Sequence, residues 1–269
     1  MTISRFKLYE ETVQSPDWQV DYLPQFHQWL TGKKPLRLRE DFCGSARIAC
    51  EWVRRSPKHS SIGLDLDREV LAYAKKENRG ALTRDERSRV RLLRQDVLKA
   101  KTPPVDWIGV FNYSIFTFHE RAQLVQYFRA AHRSLAGSGT LFLEIACGPG
   151  FLQASLEKRT LRIPGIGRIT QAWEQQEYDP LSGLNRYSIH FRLPDGTWMQ
   201  NAFVYHWRIW SIPELRDALQ EAGFRDSIVL LEKDPDSREP SNEFLPADSI
   251  HSGDAPNSSF FLAYVIAKK

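Results

Sequence analysis

The first half of this chain alternates short apolar runs with amphipathic helical stretches, and that alternation leaves few folds open. LRLREDF (36–42) reads as a buried first strand and SARIACEWVRRS (45–56) as the helix after it. SIGLDL (61–66) is a second strand, followed by the helix DREVLAYAKKEN (67–78). Asp67 can cap that helix, and Glu69 adds negative charge where the helix dipole favours it. RVRLLRQD (89–96) and PVDWIGVFNYSIF (104–116) are the third and fourth strands. HERAQLVQYFRAAHRSL (119–135) spaces its apolar residues by three and four, and AGSG ends it before a fifth strand, TLFLEIA (140–146). Strand–helix–strand units repeated in this way imply right-handed crossovers and a doubly wound, mostly parallel α/β sheet.

The second half changes period. Residues 168–210 read as antiparallel strands, with turns at PLSG (180–183) and PDG (194–196). IPELRDALQEAGF (212–224) is a helix and DSIVLLEK (226–233) a strand; 234–258, rich in Pro, Ser, Asp and Asn, reads as a loop or lid before the final strand SFFLAYVIAKK. The expected organisation is a helical cap over 1–35, a core over 36–160 and 208–269, and an antiparallel β insertion over 161–207. Lys and Arg number 37 against 33 Asp and Glu, and they are scattered among the acids, so nothing here signals a nucleic-acid partner strongly. Cys43, Cys50 and Cys147 lack the spacing of a disulfide framework or a zinc site, which fits a reducing compartment. With no apolar leader and no long apolar run, a cytoplasmic protein without a membrane partner is expected. No feature sets an oligomeric state.

Three features at the carboxyl ends of the first three strands carry the functional reading, since open α/β sheets bind ligands there. In the turn EDFCGSA (40–46), Gly44 lets a ligand approach the backbone, Cys43 lies beside it, and Glu40 can orient a ligand amino group. Asp65, with Leu66 next to it, is placed to accept the two hydroxyls of a ribose. Asp96 can accept from an adenine amino group while the Val97 N–H donates to the ring. Together they describe an adenosine site. A dinucleotide needs several glycines against its pyrophosphate, and this turn has Phe42 and Ala46 around a single Gly44. A ligand without phosphates, S-adenosylmethionine, suits it better, and a nicotinamide dehydrogenase is disfavoured.

At these residues the chain resembles the class I S-adenosylmethionine-dependent methyltransferases. EDFCGSA is similar to that family's first motif, GLDLD to its ribose-binding acid, RQDV to its adenine-contacting acid and VDWIGVFNYSIF to its fourth-strand motif. SLAGSGTLFLEI and IWSIPELRDALQEAGF resemble the turn into strand five and the helix before strand six. LYEETVQ, LREDFCGSA, CEWVRR and FNYSIF are similar to a bacterial subgroup of the family. The resemblance covers about 1–150 and 205–269, and departs from it at Phe42 and Ala46, where many members carry glycine. It implies a seven-stranded Rossmann-like sheet whose last strand, placed at 259–268, is antiparallel. It also implies an S-adenosylhomocysteine product and no metal.

A methyl sulfonium is already activated, so positioning can suffice and a general base is optional. Asn112 and Tyr113, ending strand four, are expected near the reacting methyl, Tyr113 as an orienting residue and His119 as a candidate base. By the resemblance, Tyr9, Glu11 and Gln14 lie in a segment that folds over the cofactor. The insertion carries Trp173, Tyr187, His190, Trp198, Tyr205, His206 and Trp207, most of them read as packing. Tyr205 and His206 are the candidates to contact an acceptor. The leading expectation is methyl transfer to an O or N atom of a small molecule. A catalytically silent S-adenosylmethionine-binding domain and a nucleic-acid methyltransferase are the alternatives.

Overall fold

The computed structural model describes residues 3–232, 244–247 and 259–269. Two helices, α1 (Arg5–Thr12) and α2 (Pro16–Thr31), precede the strand β1 (Arg37–Asp41). Then come α3 (Arg47–Arg54), β2 (Ser60–Asp65), α4 (Arg68–Lys76), α5 (Arg84–Ser88), β3 (Val90–Arg94), β4 (Val105–Val110), α6 (Arg121–Ser134) and β5 (Leu135–Cys147). The strands β6 (Ser155–Ile163), β7 (Gly167–Gln175), β8 (Leu184–Arg192) and β9 (Trp198–Arg208) make a second sheet. After them α7 (Ile212–Glu221), β10 (Asp226–Glu232), β11 (Phe244–Pro246) and β12 (Phe261–Lys268) return the chain to the first.

The main sheet has the order β11-β10-β12-β5-β4-β1-β2-β3. β3, β2, β1, β4 and β5 are parallel, and β12 runs antiparallel between β5 and β10. The seven expected strands are all present, and the antiparallel one falls at the expected place. β11, an edge strand of three residues, adds an eighth within the stretch read as a loop; most of the rest of 234–258 lies outside the described residues. The strand order turns back beside β1, whose neighbours are β2 and β4, so the crevice for a ligand opens at the tips of β1 and β4.

Local chemistry explains the helix boundaries. Asp67 caps α4 as expected, accepting from the Glu69 N–H at 2.7 Å and the Val70 N–H at 3.4 Å. Ser211 and Glu214 form a capping box on α7, and Thr83 with Glu86 forms another on α5, a helix the sequence reading missed. The apolar faces of α2 and α3 pack with Leu38, Trp107, Phe142 and Tyr264, while α6 and α7 join Ile108, Val110, Leu141 and Leu143 in the larger core. Among the described residues no helix is long and apolar enough to cross a membrane.

β1 reads RLRED, yet Arg39, Glu40 and Asp41 are all buried. A buried charge needs a partner. Arg39 has one: its Nε lies 2.8 Å from Asp41 Oδ1, its Nη2 donates to Oδ2 at 2.9 Å, and the Tyr127 hydroxyl donates to the same Oδ2 at 2.8 Å. This ion pair holds the charged half of β1 in the sheet, directly beneath the turn that follows.

Candidate active site

The turn after β1 is left-handed at three alternate residues, with φ of 57° at Phe42, 52° at Gly44 and 55° at Ala46. Phe42 and Ala46, the two departures from glycine, therefore adopt the conformation glycine would, at roughly 1–2 kcal/mol of strain each. Asn112 and Tyr113 at the end of β4, and Asn201 in β9, are also left-handed. Phe42, Gly44, Asn112 and Asn201 all line one cavity of about 460 Å³. Strain concentrated in this way is characteristic of ligand sites.

That cavity opens at the switch point of the main sheet. Its floor is the β1 turn and Asp65; Asn112 and Ser114 form one side; Phe203 and Tyr205 of β9 and Phe6 and Tyr9 of α1 form the cover. Tyr9 packs on Phe203 at 4.9 Å between ring centres and shares a hydrogen bond with the Tyr205 hydroxyl. Arg5 joins the walls, donating to Glu69 of α4 at 2.6 Å and to the Ala202 carbonyl of β9 at 3.2 Å.

Six of the site residues expected from sequence converge here with Asp65: Cys43, Gly44, Asn112, Tyr9, Gln14 and Tyr205. The others do not line the cavity. Glu40 is turned beneath it, where its carboxyl accepts the Ala49 N–H at 2.8 Å. The reason is local: Ala46 at the N-cap of α3 has no oxygen to offer, and Glu40 takes that duty from the neighbouring strand. Asp96 is occupied by its own turn, accepting the Leu98 N–H at 2.9 Å. Leu66 faces solvent and Val97 is packed in the core. Tyr113 packs edge-on against Phe151 and Trp207. His119 donates from Nε2 to the His206 carbonyl at 2.7 Å, and the His206 side chain is exposed. Neither imidazole reaches the cavity.

Sequence reasoning missed Arg5, Phe6, Ser45, Ser114, Asn201 and Phe203. Ser45 was available as the neighbour of Gly44; Asn201 carried no signal, because its left-handed turn depends on the irregular pairing of β8 with β9.

Asp65 holds the floor together. Its Oδ2 accepts the Gly44 N–H at 2.8 Å and its Oδ1 the Asp67 N–H at 2.9 Å. About half of a carboxylate's four lone-pair positions stay open for a ligand's hydroxyls. Burial raises its pKa, against the pull of the Asp67, Gly44 and Leu66 N–H groups. Burial likewise pushes Glu40 up to about 8, opposed by the Ala49 N–H and reinforced by Asp65 and Asp41. The Cys43 thiol and the Tyr9 and Tyr205 phenols are all held well above their ordinary values by burial, so they stay protonated. Gln14 Oε1 and Ser45 Oγ are buried without a hydrogen-bond partner among the described residues, both at the cavity wall. Orphaned oxygens of this kind are costly unless a ligand satisfies them. A Cβ at Gly44 would meet only Val70, at 4.0 Å, so the approach to its backbone is open. The residues present fit an adenosyl ligand.

No protein-family model and no curated protein sequence matches the chain. Solved structures do match its fold. An S-adenosylmethionine-dependent methyltransferase from Clostridium acetobutylicum is similar at a TM-score of 0.67 and 15% identity, over 97% of this chain and 96% of that one. The fold is that of the S-adenosylmethionine-dependent methyltransferases. DesVI of Streptomyces venezuelae shares this methyltransferase fold at a TM-score of 0.70 and 14% identity, over 98% and 99% of the two chains. CalS10 of Micromonospora echinaspora, an amino pentose methyltransferase solved with S-adenosylmethionine, does so at 0.67 and 15%, over 98% of each.

Proposed function

We propose that this chain is an S-adenosylmethionine-dependent methyltransferase acting on an O or N atom of a small-molecule acceptor. The observation that carries the reading is the cavity of about 460 Å³ at the β1–β4 switch point, with Asp65 and the left-handed β1 turn as its floor. Support for a small acceptor comes from the near-complete overlap with CalS10 and with KedS8, a sugar N-methyltransferase of Streptoalloteichus matched over 98% of this chain. The retained left-handed turn speaks against a silent domain, because Phe42 and Ala46 preserve the backbone that the motif requires.

When bound, S-adenosylmethionine supplies an activated methyl carbon. The chain's own residues do the positioning. Asp65 receives ribose hydroxyls on its open lone pairs, Gly44 admits the ligand against its backbone, and Ser45 Oγ and Gln14 Oε1 accept its remaining donors. Tyr9 and Tyr205, both protonated, do not act as bases; the Tyr205 hydroxyl donates to Tyr9, which leaves the Tyr9 hydroxyl to donate to an acceptor. Of the carboxylates at the cavity wall, Asp65 and Asp67 are committed to backbone N–H groups. Alignment and exclusion of water under α1 and β9 therefore supply the rate enhancement.

Calorimetric titration with S-adenosylmethionine and S-adenosylhomocysteine tests this. Wild type is expected to bind both, and Asp65→Ala to weaken each about tenfold to hundredfold, the scale of a lost buried hydrogen-bond partner. No binding at millimolar ligand overturns the assignment, and an unchanged Kd in the variant removes Asp65 from the site.

A further inference from the structure

One face of the second sheet carries cations that the cavity does not use, save Arg186, whose Nη2 donates to Asn201 Oδ1 at 3.3 Å. Strand pairing puts Lys158 and Arg162 of β6, Arg168 of β7, and Arg186 and Arg192 of β8 on the same side, with Trp198 of β9 directly opposite Arg192. Arg162 and Arg168 face each other across neighbouring strands. Like charges so placed destabilise a sheet. No carboxylate relieves them: among the described residues none of the five cations is in an ion pair. Glu174, the one acid among the strand residues on this side, is taken by His190 at 3.1 Å. Lys158, Arg162, Arg168, Arg192 and Trp198 are exposed, and the Lys158 ammonium lies 5.8 Å from the Trp198 ring.

The geometry points to this face as a docking surface for single-stranded nucleic acid. An open sheet with cations on successive strands and an indole among them offers what such a strand binds: charges for its phosphates and a flat ring for a base. The indole separates this partner from an acidic peptide, which gains nothing from stacking. A duplex would meet this face through its phosphates alone, because a four-stranded face is too broad for a groove and paired bases are closed to the indole. Phe203 and Tyr205, which cover the cavity, point to the other side of the same sheet, so the surface holds a partner without delivering a base to the cavity. It is independent of the methyltransferase reading.

The test is fluorescence anisotropy of a labelled oligouridylate with the full chain over a range of salt. Wild type is expected to bind with an affinity that falls steeply with salt. Arg162→Gln/Arg168→Gln/Arg192→Gln should lose at least tenfold and flatten the log–log slope by about 2, at roughly 0.7 per phosphate contact. Trp198→Ala should lose about tenfold with the slope unchanged. The melting temperature of the triple variant should stay level or rise, which excludes unfolding as the cause, and its titration with S-adenosylmethionine should match wild type. Absence of wild-type binding, an unaltered slope in the triple variant, or equally tight binding of polyglutamate each overturns the proposal.

Discussion

Arg39→Ala is expected to cost about 3–5 kcal/mol of folding stability. The substitution leaves the Asp41 carboxylate fully buried with the Tyr127 hydroxyl as its remaining side-chain donor. An uncompensated charge in a parallel sheet is far more costly than the ion pair is stabilising, because the pair had already met its own desolvation. Replacing both partners with apolar residues of similar volume, Arg39→Met with Asp41→Leu, should therefore recover most of the loss. Urea denaturation of the two variants beside wild type measures it. Equal destabilisation in the single and double variants would show that lost packing, and not the stranded carboxylate, sets the cost.

Glu40→Gln is expected to remove a pH dependence. The folded-state pKa of Glu40 is raised to about 8 from an ordinary 4.5. Between those values the unfolded chain has lost the proton that the folded chain retains, so this group's contribution is complete below about pH 4.5 and declines up to about pH 8. A glutamine keeps an oxygen for the Ala49 N–H and does not ionise. The stability of Glu40→Gln relative to wild type should therefore rise with pH, by about 2–4 kcal/mol between pH 5 and pH 8 if most of the shift is expressed. Thermal melts of both proteins across that window give the difference directly. A flat difference would mean that Glu40 ionises normally and that the Ala49 contact is made by a carboxylate.

The two substitutions also show why part of the site was legible in the sequence and part was not. Strand and helix positions follow from local period and capping, and LRLREDF, SIGLDL and RVRLLRQD fall where their patterns place them because each element is specified by its own residues. Asp67 is of this kind, since its partners are two and three residues away. The destination of a carboxylate at a strand tip is set instead by what the neighbouring element lacks. Glu40, Asp65 and Asp96 look equivalent in sequence, yet Ala46 draws Glu40 under the turn and the Leu98 N–H claims Asp96. Asp65 alone faces the cavity. The histidines were lost for a similar reason. The His119 ring is held by the His206 carbonyl, 87 residues away and invisible to any local pattern, while His206, next to Tyr205 in β9, points to the opposite side of the strand.

The placement of β12 also constrains how the molecule is assembled. Among the described residues β10 and β11 reach the rest of the main sheet only through it, and it pairs Phe261 with Cys147 although the entire second sheet lies between them in the chain. The parallel neighbours β1 to β5 are joined across about 63 residues at most, between β1 and β4, whereas joining β12 to β5 closes a loop of about 113, so the parallel half can consolidate first. Pulsed hydrogen exchange during refolding should then protect the amides of β1, β2 and β4 ahead of those in β10 and β12.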